Sequence, residues 1–316
     1  MAAERTIRTN GVDLRVVEAG SGPLVVLCHG FPELSHSWRH QLPALAAAGY
    51  HAVAPDMRGY GGSTRPEAID AYDILHLTGD VLGLMDAMGE ERAVLVGHDW
   101  GAPVVWNLAL RAPHRVRGVA GMSVPYTPRS EHPPTRIWKR LFADNWFYIL
   151  YFQEPGIADA DLGRDASTTL RRLICAVSGT PSAESLALLS GPRDGRGMVD
   201  RLPEPAGLPA WLSQTDLDHY ASVFARTGFT GGLNWYRNFD RNWELTPELA
   251  GARVEVPALF VAGAGDPVLA MASLDPMRER VTDLRGVVLV PGAGHWVQQE
   301  APEAVNAALL EFLAGL

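Results

Sequence analysis

The stretch VLVGHDWG, residues 94–101, is the part of the sequence that decides the fold. An apolar, mostly β-branched run leads into a small-x-Asp-x-Gly frame, and residues 102–108 continue with the spacing of a helix. This order is typical of a nucleophile elbow, a sharp strand-to-helix turn that exposes its central side chain. Asp99 occupies that central position. The stretch therefore predicts an α/β protein with an exposed carboxylate between a strand and a helix.

The carboxylate at the elbow restricts the chemistry that this turn can perform. Serine attack on an alkyl carbon gives an ether, which is a dead end, whereas aspartate attack gives an ester that water can cleave. Asp99 therefore indicates nucleophilic displacement at carbon, followed by hydrolysis of the ester.

The composition favours one large α/β domain that carries an insertion. The 316 residues are 47% hydrophobic and 20% charged, which is ample for a large core. The net charge of 27 − 36 = −9, with scattered basic residues, argues against nucleic acid as a partner. No apolar run reaches the about 18 residues of a membrane span, and residues 1–5 lack a signal-peptide core. Cys28 and Cys175 are far apart in sequence and predict two free thiols in a reducing cytoplasm.

Strands and helices alternate along most of the chain, which predicts a mostly parallel, eight-stranded sheet with helices on both faces. Residues 6–19 indicate a hairpin around the Asn10-Gly11 turn. The other predicted strands are 23–28, 51–55, 93–96, 116–122, 256–261 and 286–290, and the predicted helices include 36–48, 73–88 and 301–314.

The alternation breaks between residues 126 and 246. This stretch is punctuated by proline and holds five of the nine tryptophans and five of the eight tyrosines. We interpret 126–246 as a helical lid (cap) domain, inserted into a core domain formed by residues 1–125 and 247–316. Its aromatic content favours a lipophilic small molecule as the ligand, bound between the two domains.

Two further residues complete a candidate catalytic triad with Asp99. His295 lies in the loop directly after the last predicted strand, and Asp266 follows the preceding strand in the same way. Loops at the carboxyl ends of parallel strands are where such sheets place active sites. The order 99, 266, 295 is that of the triad in proteins with a nucleophile elbow. His295 is the candidate base that activates water, and Asp266 the acid that orients it.

Backbone N–H groups are expected to stabilise the oxyanion that forms during ester hydrolysis. By position these are Trp100, which follows Asp99, and Phe31, in the loop after the strand 23–28. His29 and His98 flank the site and are interpreted as structural. The ten histidines show no metal-ligand spacing such as HExxH, so neither a metal nor another cofactor is expected.

Several segments together resemble the α/β-hydrolase-fold epoxide hydrolases, above all the hydrolase domain of the soluble epoxide hydrolases. The match runs nearly end to end, and we expect no counterpart of the N-terminal phosphatase domain that the mammalian enzyme carries. The matching segments are HGFPE (29–33), DMRGYGGS (56–63), GHDWG (97–101), YILYFQEPG (148–156), LNWYRN (233–238) and GHW (294–296).

The resemblance implies that two lid tyrosines hold the epoxide oxygen and protonate the leaving alkoxide. By motif position these are Tyr148 and Tyr236, with Tyr151 as an alternative to Tyr148. Phenols suit this role because their pKa of about 10 keeps them protonated at neutral pH. The implied product is a vicinal diol. The resemblance also implies a cis peptide bond between Phe31 and Pro32.

A haloalkane or haloacid dehalogenase on the same fold is the main alternative. Such enzymes also use an aspartate nucleophile, but the haloalkane type usually has asparagine where this chain has Phe31. Residues 121–126 also lack the carboxylate that some of them carry after strand six. A non-catalytic receptor would have a broken triad, and a serine esterase would need serine at position 99.

The expected partners are a lipophilic epoxide and water, with no membrane. The chain is expected to be a monomer or a homodimer.

Overall fold

A computed structural model describes residues 2–179 and 189–316 of the chain. Its strands are β1 Ala3–Thr9, β2 Val12–Ala19, β3 Leu24–Cys28, β4 His51–Pro55, β5 Ala93–His98, β6 Val116–Met122, β7 Asn145–Phe147, β8 Ser190–Pro192, β9 Ala258–Gly263 and β10 Leu284–Val290. Eight of them form the main sheet, in the order β1-β2-β4-β3-β5-β6-β9-β10.

The sheet is parallel except at one edge. Strand β1 pairs antiparallel with β2, from Ala3 opposite Glu18 to Thr9 opposite Val12, and β2 pairs antiparallel with β4. The remaining pairs in this sheet are parallel. These pairings confirm the predicted mostly parallel sheet of eight strands.

Both faces of the sheet are covered, as the continuous apolar strands require. Along β3, Leu24 and Val26 pack into one hydrophobic cluster, while Val25 and Leu27 pack into the cluster on the opposite face. All four side chains are buried. Full burial of such a side chain contributes about 1.5–3 kcal/mol, so the central strands hold the elbow on a rigid support.

Helices flank the sheet and fill most of the segment between β6 and β9. They are α1 Gln41–Ala47, α2 Ile74–Ala87, α3 Gly101–Arg111, α4 Pro134–Leu141, α5 Tyr148–Tyr151, α6 Ile157–Gly163, α7 Ala166–Ala176, α8 Met198–Arg201, α9 Gln214–Thr227, α10 Thr230–Arg237, α11 Phe239–Leu245, α12 Asp275–Arg280, α13 Val297–Glu300 and α14 Pro302–Ala314. Within residues 2–179 and 189–316, no helix is both long enough and apolar enough to cross a membrane.

The predicted helix 36–48 is wrong in its first half. The chain forms a 3₁₀ turn at Ser35–Trp38, and α1 begins only at Gln41. Pro43 explains the break, because a proline ring tolerates the first turn of a helix but clashes with the carbonyl four residues earlier. A proline also displaces a strand start: β9 begins at Ala258, directly after Pro257, rather than at residue 256.

The segment between β6 and β9, residues 123–257, includes the whole of the predicted lid, residues 126–246. It is not purely helical, because β7 and β8 form a small antiparallel sheet within it. Residues 180–188 of the predicted lid lie outside the described part of the chain. The domain boundaries at 125/126 and 246/247 stay predictions.

Candidate active site

Asp99 lies in the turn between β5 and α3, as the elbow motif predicts. Its φ of +48° is in the left-handed region, which costs a non-glycine residue about 1–3 kcal/mol. The turn is too tight for larger neighbours. A Cβ on Gly97 would lie 2.2 Å from the Gly101 carbonyl oxygen. A Cβ on Gly101 would lie 2.0 Å from the Cys28 carbonyl oxygen. The spacing small-x-Asp-x-Gly is therefore a steric requirement of this turn.

The structure brings Asp99, His295 and Asp266 together at the carboxyl ends of β5, β9 and β10. His295 Nδ1 lies 3.1 Å from both carboxylate oxygens of Asp266. On the other side of the ring, His295 Nε2 lies 3.5 Å from Asp99 Oδ2. All three residues are buried. The imidazole is thus held between two carboxylates, of which Asp99 precedes it by 196 residues and Asp266 by 29 residues.

The two carboxylates control the charge on His295. Burial alone lowers the pKa of this imidazole, but Asp266 and Asp99 outweigh it and raise the pKa well above its usual value. Burial likewise works to raise the pKa of Asp266, yet His295 and the Val268 N–H hold that pKa below its usual value. Asp266 is therefore ionised near neutral pH and fixes the proton on His295 Nδ1.

Phe31 and Trp100 are the predicted backbone donors. The Phe31 N–H donates to Asp99 Oδ1 at 2.7 Å. The Phe31–Pro32 peptide bond is cis, as the resemblance implies. Trp100 is the N-cap of α3, where the backbone N–H has no partner within the helix. Among the described residues no hydrogen bond joins that N–H to the Asp99 carboxylate, so its role stays a prediction.

Tyr148 and Tyr236 lie side by side on α5 and α10, with ring centroids 6.2 Å apart. The Tyr236 ring also contacts Phe31, at a centroid distance of 5.5 Å, and Trp100, at 5.1 Å. Burial and the nearby Asp99 carboxylate raise the pKa of both phenols. Tyr151, the alternative to Tyr148, instead donates its hydroxyl to Asp161 Oδ2 at 3.0 Å. The geometry thus groups Tyr148 with Tyr236.

Comparison with known proteins gives one consistent result. The family model described as alpha/beta hydrolase fold matches residues 23–302. Epoxide hydrolase A of Mycobacterium tuberculosis is 61% identical over 99% of this chain and 98% of its own length. The crystal structure of epoxide hydrolase A from Mycobacterium thermoresistibile superposes with a TM-score of 0.96 at 58% identity, covering 100% of this chain and 99% of that one. An epoxide hydrolase from an endophytic Streptomyces has the same TM-score at 45% identity, covering 99% and 96% of the two chains.

The chain belongs to the α/β-hydrolase-fold epoxide hydrolases. It is therefore an enzyme of the class that hydrolyses ether bonds, and the predicted family is confirmed. The alternative of a dehalogenase on the same fold is not favoured.

This epoxide hydrolase has a buried polar network behind the site that no sequence motif indicated. Glu33 accepts hydrogen bonds from the Gly30 N–H at 3.1 Å, from His98 Nδ1 at 2.6 Å, and from the side-chain amides of Gln298 at 2.8 Å and Gln299 at 3.1 Å. Although burial opposes ionisation, the contact with His98 lowers the pKa of Glu33 to about 2. One ionised carboxylate thus joins the loop of Phe31 to the helix after His295.

The flanking histidines belong to this scaffold. His98 Nε2 lies 2.8 Å from the His295 carbonyl oxygen, which also accepts a hydrogen bond from Ser123 Oγ at 2.8 Å. His29 Nε2 accepts from the Met57 N–H at 2.9 Å. These contacts support the structural interpretation of both histidines. The sequence signals that existed were the polar residues Glu33, Gln298 and Gln299 within otherwise buried segments.

Proposed function

We propose that this epoxide hydrolase converts a lipophilic epoxide to a vicinal diol through a hydroxyalkyl ester on Asp99. The observation that carries the proposal is the meeting of Asp99, His295 and Asp266 next to Trp100 and Phe31, whose rings contact that of Tyr236, the neighbour of Tyr148. A carboxylate oxygen of Asp99 attacks one epoxide carbon. The bond from that carbon to the epoxide oxygen breaks, and the electron pair stays on oxygen.

The tyrosines supply the proton that the departing oxygen needs. An alkoxide is a poor leaving group, so an acid must be in place as the ring opens. One of the two phenols donates its proton, while the other donates a hydrogen bond to the same oxygen. The raised pKa of both phenols supports this role, because it keeps them protonated until substrate arrives. The tyrosine regains its proton when hydrolysis of the ester restores the Asp99 carboxylate.

His295 acts in the second step. Ester formation removes the Asp99 charge, which is one of the two negative charges that raise the pKa of His295. The imidazole therefore loses its extra proton more easily at the step that needs a base. It takes a proton from water, hydroxide adds to the ester carbon, and the Phe31 and Trp100 N–H groups bind the oxyanion. A donor of this kind typically contributes about 10²–10³ in rate.

The oxyanion then collapses, the bond from the ester carbon to the substrate oxygen breaks, and the protonated imidazole gives its proton to the departing diol oxygen. Asp99 is left as the carboxylic acid, and its proton returns to the tyrosinate formed in the first step.

The surroundings of the phenols support a lipophilic substrate. Rings of Phe152 and Phe239 lie 5.0 and 6.2 Å from the Tyr236 ring, centroid to centroid, beside those of Phe31 and Trp100.

We also propose that the enzyme is located in the cytoplasm. Cys28 and Cys175 are both free thiols, which supports a reducing compartment.

A single turnover in ¹⁸O-labelled water tests the ester route. With enzyme in excess, label is expected in the Asp99 carboxylate, and the diol of the first turnover should lack it. The label in the peptide that contains Asp99 is measured by mass spectrometry after digestion. Label that enters the first-turnover diol directly would overturn the proposal, because water would then attack the epoxide itself.

The His295→Gln variant separates the two steps. Glutamine cannot accept the proton from water, so ester formation should proceed and its hydrolysis should stall. Intact-protein mass spectrometry is expected to show an adduct with the mass of one substrate molecule. A matched Asp99→Asn variant should give no adduct. Loss of turnover in His295→Gln without an adduct would contradict this division of roles.

A further inference from the structure

We propose that Glu300 is a positioning residue for His295, and that its carboxylate ties the histidine loop to the predicted lid during ester hydrolysis. This inference rests on the proposed two-step reaction. Glu300 ends α13, the short helix that directly follows His295 and Trp296. It does not contact the reacting atoms, and it would act through the backbone on either side of the imidazole.

The carboxylate of Glu300 binds three backbone N–H groups. Its Oε2 accepts from Gly294 at 2.9 Å and from Gly179 at 2.8 Å, and its Oε1 accepts from Trp296 at 2.9 Å. Gly294 and Trp296 are the two chain neighbours of His295. Burial raises the pKa of Glu300, but the three N–H groups oppose this shift because they bind the ionised carboxylate. Hydrogen bonds to a charged acceptor are roughly twice as strong as neutral ones. Both peptide units beside the imidazole are thus held by one side chain.

The contact with Gly179 distinguishes this arrangement from an ordinary helix cap. A cap needs only N–H groups of its own helix, whereas Gly179 is 121 residues earlier in the chain. It lies just after α7, in the predicted lid, and the same segment makes further contacts with the loop. The His295 N–H donates to the Val177 carbonyl at 2.8 Å, and Trp296 Nε1 donates to the Ile174 carbonyl at 2.9 Å.

The loop is packed too closely to move freely between these partners. A Cβ on Gly294 would lie 2.5 Å from both the Gly179 nitrogen and the Val177 oxygen. On the side of the sheet, a Cβ on Gly263 would lie 2.1 Å from the Gly294 oxygen. The position of His295 therefore depends on the position of the chain just after α7. The Glu300 carboxylate joins that part of the chain to the loop that carries His295.

This geometry predicts that Glu300 affects the two chemical steps unequally. Ring opening uses Asp99, Tyr148 and Tyr236, and Glu300 is hydrogen-bonded to none of them among the described residues. Ester hydrolysis uses His295, whose neighbours Glu300 holds. A small misplacement of a catalytic group can lower a rate by about tenfold to a hundredfold.

The test is a single-turnover experiment on Glu300→Gln with a styrene-type epoxide. Tryptophan fluorescence follows both steps, because Trp100 adjoins Asp99. We expect ester hydrolysis to slow by about tenfold or more and ring opening to change by less than about twofold. Glu300→Asp keeps the carboxylate with a shorter reach and should retain more of the hydrolysis rate. Glu303→Gln, at an exposed position on α14, is the matched control and should leave both steps unchanged.

Equal slowing of both steps in Glu300→Gln, or no slowing of hydrolysis, would overturn the assignment. If Glu300→Gln does not fold, the same comparison of steps is made on Glu300→Asp. The His295→Gln variant, run in parallel, separates the two proposals. An adduct in His295→Gln with none in Glu300→Gln rejects only the role of Glu300, whereas no adduct in either variant contradicts the proposed division of roles between Asp99 and His295, on which the role of Glu300 rests.

Discussion

At the scale of single residues, the proposed reaction differs from halide displacement in its need for a proton donor, and we assign that role to the phenols of Tyr148 and Tyr236. We expect Tyr148→Phe and Tyr236→Phe each to slow ring opening, and the double variant to lose about 10²–10⁴ in rate. Each single variant keeps one phenol, so its loss should be smaller. Stopped-flow measurement of ester formation gives these rates directly.

Tyr151→Phe is the matched control for these variants. It removes a hydroxyl from the same helix, but that hydroxyl is hydrogen-bonded to Asp161. We expect ring opening to stay within about twofold of the parent enzyme. A double Tyr148→Phe/Tyr236→Phe variant with parent activity would reject the proton-donor assignment, as would a larger loss in Tyr151→Phe than in Tyr148→Phe.

The pH dependence should differ between the two steps. Burial and Asp99 raise the pKa of both phenols, so ring opening should show no loss from phenol ionisation up to about pH 10. In the proposed reaction ester hydrolysis needs neutral His295, so the rate of hydrolysis should fall as pH drops through the pKa of that imidazole in the ester. Pre-steady-state rates of ring opening and of ester hydrolysis, measured between about pH 6 and 10, check both expected pH dependences. A ring-opening rate that declines near pH 8 would contradict the assignment.

Residues that follow strand ends could be predicted, and residues that support them could not. Asp99, Asp266 and His295 each come directly after an apolar strand, and parallel strands bring their carboxyl ends to one edge of the sheet. Glu33 and Gln298 are 265 residues apart, and no local pattern relates them. Glu300 was missed for the same reason, because its partner Gly179 is distant in the chain.

At the scale of secondary-structure elements, α10 carries Tyr236 and approaches the core through two glycines. A Cβ on Gly231 would lie 2.2 Å from the Gly59 carbonyl oxygen. A Cβ on Gly232 would lie 2.5 Å from the Phe31 ring and 2.7 Å from the Tyr60 hydroxyl. Because the Gly231 contact is backbone to backbone, a side chain there forces the helix to shift.

We therefore expect Gly231→Ala to slow ring opening by about tenfold, since a shift of the helix moves the Tyr236 phenol away from the epoxide oxygen. Its melting temperature should also fall. Gly163→Ala is the matched control, because Gly163 is exposed on α6 and a Cβ there meets nothing within 4 Å. That change should leave ring opening intact and cost no stability. Parent-like ring opening in Gly231→Ala would show that α10 tolerates the added methyl group.

The elements themselves were predictable where apolar periodicity was strong. The observed α2 runs Ile74–Ala87 against a predicted 73–88, and α14 runs Pro302–Ala314 against 301–314. The small sheet of β7 and β8 could not be predicted, because each strand has three residues and its pairing partner lies more than 40 residues away. Short strands are determined by such partners rather than by local sequence.

At the scale of the whole molecule, a buried ion pair joins three separate parts of the core. Arg58 donates to both oxygens of Asp80 on α2, at 2.7 and 2.6 Å. Asn10, in the turn of the β1–β2 hairpin, donates to Asp80 Oδ1 at 2.8 Å. Both charged side chains are nearly inaccessible, at 3% and 2% exposed. Helix α10 also reaches this point, because Trp235 Nε1 donates to the Arg58 carbonyl at 3.0 Å.

We expect Arg58→Met to lower the free energy of unfolding by about 3–5 kcal/mol, because it leaves the Asp80 carboxylate buried without its partner. The double variant Arg58→Met/Asp80→Leu should be more stable than Arg58→Met, since it also removes the unpaired Asp80 carboxylate. Urea unfolding followed by circular dichroism measures both values. Arg8→Met is the matched control: its pair with Asp13 is 69% and 49% exposed, and such surface pairs contribute only about 0–1 kcal/mol. A double variant less stable than Arg58→Met would mean that the hydrogen bond from Asn10, rather than the charge pair, holds the hairpin to α2.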